Sequence, residues 1–377
     1  MNKPRRALLL ALLLLCALSF SPARAQTTAH GALTMLPASD VVLVINHSRI
    51  WNEAVPRFFG DNAAPLAHIR AEMEKFKKMT GVDVRSVSQI VIGVRFVNAE
   101  SVPKNFDKKE MAIVIIAQGD FSPAALVAAM KRDARERVQE EQHAGQTIYT
   151  INEPYKGGAS PRPDIEKVAV AVLDGSTIAV GDLVNVRATV DARTGGARLS
   201  PDLAVLVMRN SNALISLAGN VPANLSASLA PKGSSGNADL DKTVNKFFET
   251  IASIRQMYLS TGLTPTGVET YLGARLGSAE QAASLSDMLL GARQQYSVFI
   301  EDKMVRDLVN SIQVKAEGDE IQFRGEVPQT LITAMLDKAK KDEAATTAAK
   351  TTAPVVAPAA QPQPKKKTGR STRRKRG

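Results

Sequence analysis

Residues 167–182 read KVAVAVLDGSTIAVGD. Two runs rich in β-branched residues close on Asp174-Gly175. A two-residue Asp-Gly connection between such runs signals a tight hairpin, because its turn needs positive φ angles. A hairpin joins antiparallel neighbours. A parallel sheet instead needs a helical crossover between successive strands.

The same pattern extends in both directions. Downstream, Asp182 is placed to cap a helix running to about Asp191. A short helix from Pro201 and a strand over Ala213–Leu217 follow. Upstream, Gly145–Ile151 reads as a strand. Before it, Ser122 and Pro123 open a helix whose apolar face is Leu126, Val127, Met130, Ala134 and Val138. Gln89–Phe96 and Met111–Gln118 read as strands. The continuous apolar run Val41–Ile45 opens the body as a buried strand, with helices expected over Ser48–Phe58 and Ala64–Met79. The second of these helices carries the stripe Leu66, Ile69, Met73 and Phe76, and Glu74 and Lys78 stand at the spacing of an ion pair.

The C-terminal part repeats these elements. A helix over Leu240–Thr250, a strand within Ile251–Ser260 and the alternating Val268–Leu276 are expected. Ser278 and Gln281 form a capping-box pattern. The helix they open has the stripe Ala282, Leu285, Leu289, Ala292, Tyr296 and Phe299. A helix near Lys303–Asn310 leads to a hairpin in which Ile312, Val314 and Ala316 face Ile321, Phe323 and Gly325, and a last helix starts near Pro328. The expected fold is α+β, with mixed or antiparallel sheets and amphipathic helices packed on one face. The order ββαββ recurs in Gln89–Leu173 and Ile251–Val327, which suggests a duplicated unit. Lys232–Asn237 is the expected internal boundary, dividing 39–231 from 238–341.

The ends have a different character. Lys3, Arg5 and Arg6 precede the apolar stretch Leu8–Leu18, and Ala23-Arg24-Ala25 has the form of a cleavage site. Residues 1–25 therefore read as a signal peptide cut between Ala25 and Gln26, with 26–38 as a linker, and the mature chain is expected to be periplasmic or secreted. The single cysteine, Cys16, lies in that leader, so the expected mature chain has no disulfide, thiol nucleophile or cysteine-bound metal. Residues 342–377 read as a disordered Ala/Pro/Thr linker with a basic end.

The net charge of +11 divides unevenly: +4 in the leader, −2 over Gln26–Lys338, and +9 from Ala339 onward. A polyanion-binding role therefore belongs to the tail, on Lys365, Lys366, Lys367, Arg370, Arg373, Arg374, Lys375 and Arg376. These residues have no aromatic or apolar companions, so the tail is suited to electrostatic contact rather than bilayer insertion. In an exported chain, anionic lipid headgroups or acidic envelope polymers are its expected partners, and no specific nucleic acid is expected.

Catalytic patterns are weak. His30, His47, His68 and His143 are scattered without metal-ligand spacing, and His47 at a strand end is the best placed of them. Ser101-Val102-Pro103-Lys104 and Lys367-Thr368-Gly369 match two elements of serine acyl-enzymes, but in loop and tail contexts. Asp239 with Asp241, and Glu317 with Asp319 and Glu320, read as solvated acids at a helix start and a hairpin tip. Trp51 is the one tryptophan, and at 5% aromatics the chain has little material for a stacking platform; Trp51 is expected to pack in the core or at a groove edge. No catalytic residue, cofactor or metal is assigned. The first functional expectation is a non-enzymatic envelope or periplasmic protein of binding or structural role. A carrier of an apolar ligand and a hydrolase with a dispersed site are the alternatives.

Overall fold

The computed structural model describes residues 29–60, 66–96, 111–134, 137–151, 167–222 and 238–336. The leader with Ala25 and Gln26, the Ser101–Lys104 loop, the Lys232–Asn237 boundary and the whole basic tail lie outside the described residues.

Among the described residues, twelve strands form one antiparallel sheet. They are β1 Val41–Ile45, β2 Val87–Phe96, β3 Met111–Gly119, β4 Val138–His143, β5 Gln146–Ile151, β6 Val168–Asp174, β7 Thr177–Asp182, β8 Ala213–Asn220, β9 Gln256–Leu263, β10 Gly267–Arg275, β11 Gln313–Glu317 and β12 Glu320–Pro328. Their order is β11-β12-β10-β9-β8-β1-β2-β3-β7-β6-β5-β4. The fold is α+β, as the order of its elements implies, and the hairpin at 167–182 pairs antiparallel. The sheet is continuous through β8 and β9, which pair over Ala213–Asn220 and Gln256–Gly262.

Directly paired residues share a face, so the registers sort the core. Val42, Val91, Val114, Ala179 and Ala218 point one way, under α1 (Ala29–Thr34), α6 (Leu183–Arg193) and α7 (Pro201–Met208). Ile45, Ile90, Ile115 and Ile178 point the other way, where α5 (Pro123–Ala134) adds Val127. Beside this second layer, Trp51 is 1% exposed. It packs with Val55 of α3 (Val55–Phe59) and with Met73 and Phe76 of α4 (Ala67–Thr80), and the short α2 (His47–Arg49) leads into it. At the far end, α9 (Ala279–Tyr296) covers Ala274, Val314, Ala316, Ile321 and Phe323, and Phe247 of α8 (Ala238–Ala252) joins it. By register this is the same face that α5 covers. The opposite face of β9, β10 and β12 carries the polar residues described below.

Several helix starts follow from capping. Ser122 Oγ accepts from Ala125 N at 3.2 Å, Asp182 Oδ1 from Asn185 N at 3.0 Å, and Asp302 Oδ1 from Met304 N at 2.8 Å at the start of α10 (Lys303–Ser311). Ser278 accepts from Gln281 N, but the reciprocal half of its capping box is not made, because Gln281 Oε1 is buried without a partner. Ser278→Ala is expected to cost about 1 kcal/mol, the ordinary value of a lost N-cap, with α9 fraying first in hydrogen exchange. A urea midpoint unchanged from the parent protein would contradict this.

Some local expectations are corrected. The helix ending at Ala134 does not reach Val138, which opens β4. The turn between β4 and β5 is Ala144-Gly145 with φ of 46° and 79°, so an alanine occupies a position that sequence signals reserve for glycine or asparagine. The β6–β7 hairpin turns one residue later than read: Asp174 pairs Thr177, and Gly175 does not adopt positive φ. Asp174 Oδ1 accepts from Ser176 N at 2.9 Å, an Asx-turn that makes the bend instead. Glu74 reaches Arg85 at 3.5 Å rather than Lys78. The expected stripe is buried at Ala282 and Leu285, whereas Tyr296 at the end of α9 and Phe299 just after it stand 61% and 75% exposed.

Candidate binding groove

The uncovered face of β9, β10 and β12 floors a groove of about 840 Å3. The C-terminal end of α7, with Arg209, Asn210 and Ser211, forms one wall. The β11–β12 turn, with Glu317 and Asp319, forms the other.

Glu320 is its central group. The residue is 5% exposed although it is the first of β12. Arg209 Nη1 donates to Glu320 Oε1 at 2.5 Å and Nη2 to Oε2 at 3.1 Å, a two-pronged pairing matched to the carboxylate plane. The Tyr258 hydroxyl and Gln322 Nε2 also donate to Oε1, each at 2.8 Å. Arg275 Nε stands 3.6 Å from Oε2. Burial works to raise the Glu320 carboxyl, but the hydrogen bonds from Arg209, Tyr258 and Gln322 outweigh it and hold it below its ordinary value. Burial, aided by the adjacent carboxylate, pushes the Tyr258 hydroxyl well up.

Tyr258 reaches this position because its cross-strand partner is Gly273. A Cβ there would collide with the tyrosine ring, so the ring lies flat over bare backbone. The Arg209 guanidinium stacks on Tyr258 at 4.5 Å from the ring centroid. Next on the same face, Tyr271 is half-buried, with Arg324 at 5.6 Å from its centroid and Arg324 also paired to Glu269.

The reading of Glu317, Asp319 and Glu320 as a solvated trio is therefore corrected. Glu317 pairs outward with Lys315, Asp319 is exposed, and Glu320 turns in to meet arginines from distant parts of the chain. Alternation places Glu320 with Gln322 and Arg324 on the face opposite Ile321 and Phe323, which could have flagged it. Nothing local in the sequence points to Arg209.

The other expected positions are dispersed. His47 is completely buried, with Nδ1 2.9 Å from Val87 O, so it does not face solvent or the groove. His143 Nε2 lies 2.7 Å from Asp191 Oδ1, and Arg187 pairs with Glu141 at 2.7 Å, so both contacts tie edge strand β4 to α6. His30 and His68 lie in α1 and α4, and Asp239 and Asp241 in α8, with side chains outside the described residues. Among the described residues, no group of His, Cys, Asp and Glu is arranged to hold a metal ion, and no helix is long and apolar enough to cross a membrane.

Fold and groove together define an α+β protein with a long antiparallel sheet, helix-covered on both faces at one end and bearing a charged, open groove at the other. No family model and no curated protein matches the chain. Among solved structures it is similar to the protein TP0453. Crystal form III is 11% identical, with a TM-score of 0.42, over 81% of this chain and 98% of that one. Form IV is 11% identical, with a TM-score of 0.39, over 82% and 99%. Form I is 10% identical, with a TM-score of 0.40, over 81% and 96%. The similarity carries over no site residue and no function.

Proposed function

We propose that this is an exported, non-enzymatic protein of the cell envelope, with a folded body of binding or structural role and a basic tail that contacts anionic envelope surfaces. The observation that carries the reading is the partition of charge: −2 over Gln26–Lys338 against +9 from Ala339 onward. A near-neutral body has little general attraction for polyanions, whereas a run of lysine and arginine beside anionic lipid contributes about 1 kcal/mol per residue. The buried, backbone-bound His47 speaks against the hydrolase alternative built around that residue. The polar lining of the groove favours a polar ligand over the apolar cargo of a carrier.

The test compares the full mature chain, from Gln26, with one ending at Pro364, on phosphatidylglycerol and phosphatidylcholine vesicles. The full chain is expected to sediment with the anionic vesicles alone, and to be released when salt rises from about 50 to 500 mM. The shortened chain is expected to stay in solution. Equal sedimentation of the two chains, or retention at high salt, would overturn the reading.

A further inference from the structure

We propose that the groove between α7 and the β11–β12 turn is a glycan-binding site, taking a short uncharged oligosaccharide across β9, β10 and β12. The proposal concerns the folded body alone and stands or falls separately from the tail. Charge complementarity selects the class. The charged groups of the floor are matched to one another: Glu320 to Arg209 and Arg275, and Glu269 to Arg324. On the wall, Glu317 is matched to Lys315, and Asp319 is exposed to solvent at the turn. A ligand with net charge would leave one of these pairs competing for its partner, and this is costly at Glu320, whose carboxylate is the buried member of the set.

An uncharged polyol makes no such demand. It exchanges hydrogen bonds with water for hydrogen bonds to a mixed array of donors and acceptors, and this groove supplies both kinds. Arg209 and Arg275 bring N–H groups beyond those that meet Glu320, Asn210 brings an amide and Ser211 a hydroxyl, while the exposed Asp319 brings oxygens. Tyr271, half-buried on the same floor, supplies the apolar ring surface on which the C–H face of a sugar packs. Tyr271 and Arg275 sit on β10, paired on both sides by β9 and β12, where Tyr258 and Gln322 stand in register on either side of Gly273. The site is thus ordered before ligand arrives. A volume of about 840 Å3 accommodates several sugar rings.

The test is titration of the full chain, ring-labelled at tyrosine for NMR, with cellohexaose, chitohexaose and maltohexaose, and separately with pentalysine and hexagalacturonate. Binding of at least one neutral hexasaccharide is expected, with shifts concentrated at Tyr258 and Tyr271 and little change between about 50 and 500 mM salt. Tyr271→Ala is expected to weaken that binding about tenfold, as loss of one stacking face implies. Asp319→Ala, at an exposed turn position, supplies a second variant that does not disturb the fold, and a several-fold loss is expected there. The proposal is overturned if none of the neutral hexasaccharides binds, if neither variant weakens binding, or if the tyrosine signals respond instead to pentalysine or hexagalacturonate.

Discussion

Glu320→Ala is expected to destabilise the fold by about 2–4 kcal/mol, because it leaves Arg209, Arg275 and the Tyr258 hydroxyl facing an empty carboxylate position. The cost falls short of that for a fully buried ion pair, since the Arg209 side chain is 34% exposed and can take up water. Glu320→Gln keeps the shape but turns an amide N–H₂ toward a guanidinium, so an intermediate loss is expected. In a double-mutant cycle with Arg209→Ala, the second substitution should cost much less than it does alone. Additive losses would show that the two side chains do not act together. Because the folded Glu320 carboxyl lies below its ordinary value of 4.5, its stabilising contribution is present above that pH and is lost as pH falls through the folded value. Urea titrations of parent and Glu320→Gln proteins should therefore converge in acid; a gap that stayed constant down to pH 3 would contradict the assignment.

The second large effect is expected at Asp182, where β7 passes into α6. Its two oxygens serve two backbone donors: Oδ1 accepts from Asn185 N at 3.0 Å, and Oδ2 from Ile113 N on β3 at 2.5 Å. Asp182→Ala removes a helix cap and strands a strand N–H, together about 2–4 kcal/mol. Asp182→Asn can satisfy only one donor, since its N–H₂ must face the other, so roughly half of that loss is expected. The pH response runs opposite to that of Glu320. Burial raises the Asp182 carboxyl above its ordinary 3.8 despite the backbone donors. The folded state therefore holds this proton more tightly than the unfolded chain does. The associated stability is full below the ordinary value and declines as pH rises through the folded one. Asp182→Asn should flatten that decline; an unchanged slope would count against it.

These two carboxylates also mark how far the sequence was legible. Asp182 follows an alternating strand and precedes a helix, so its capping role is a local pattern and was read directly. Glu320 depends on Arg209, on another element 111 residues away, and no local pattern encodes that meeting. The strands with alternating or continuous apolar residues, such as Val41–Ile45 and Val268–Leu276, were legible because burial of one or both faces dictates their composition. Strand β4, VQEEQH, was not. It is an edge strand whose stability comes from pairing with β5 and from the Arg187 and His143 contacts to α6, and its turn places Ala144 at an unfavourable φ. The class of the fold followed from the order of its strands and helices, even though the hairpin at 167–182 turns one residue later than its Asp-Gly suggests. The groove was not legible, because its floor consists of those strand positions that carry no apolar signal.

Strand β1 lies at the middle of the sheet, between β2 and β8. Its neighbour β2 begins at Val87, whereas β8 begins only at Ala213. During synthesis, the Val41–Ile45 strand can pair with β2 before β8 exists. Its other edge then stays bare until more than half of the chain has emerged. Such separation raises contact order and slows closure, and an apolar strand edge left open meanwhile invites pairing with another molecule. The fold thus has a vulnerable interval between the arrival of β2 and that of β8, during which a holding chaperone would have the most to protect.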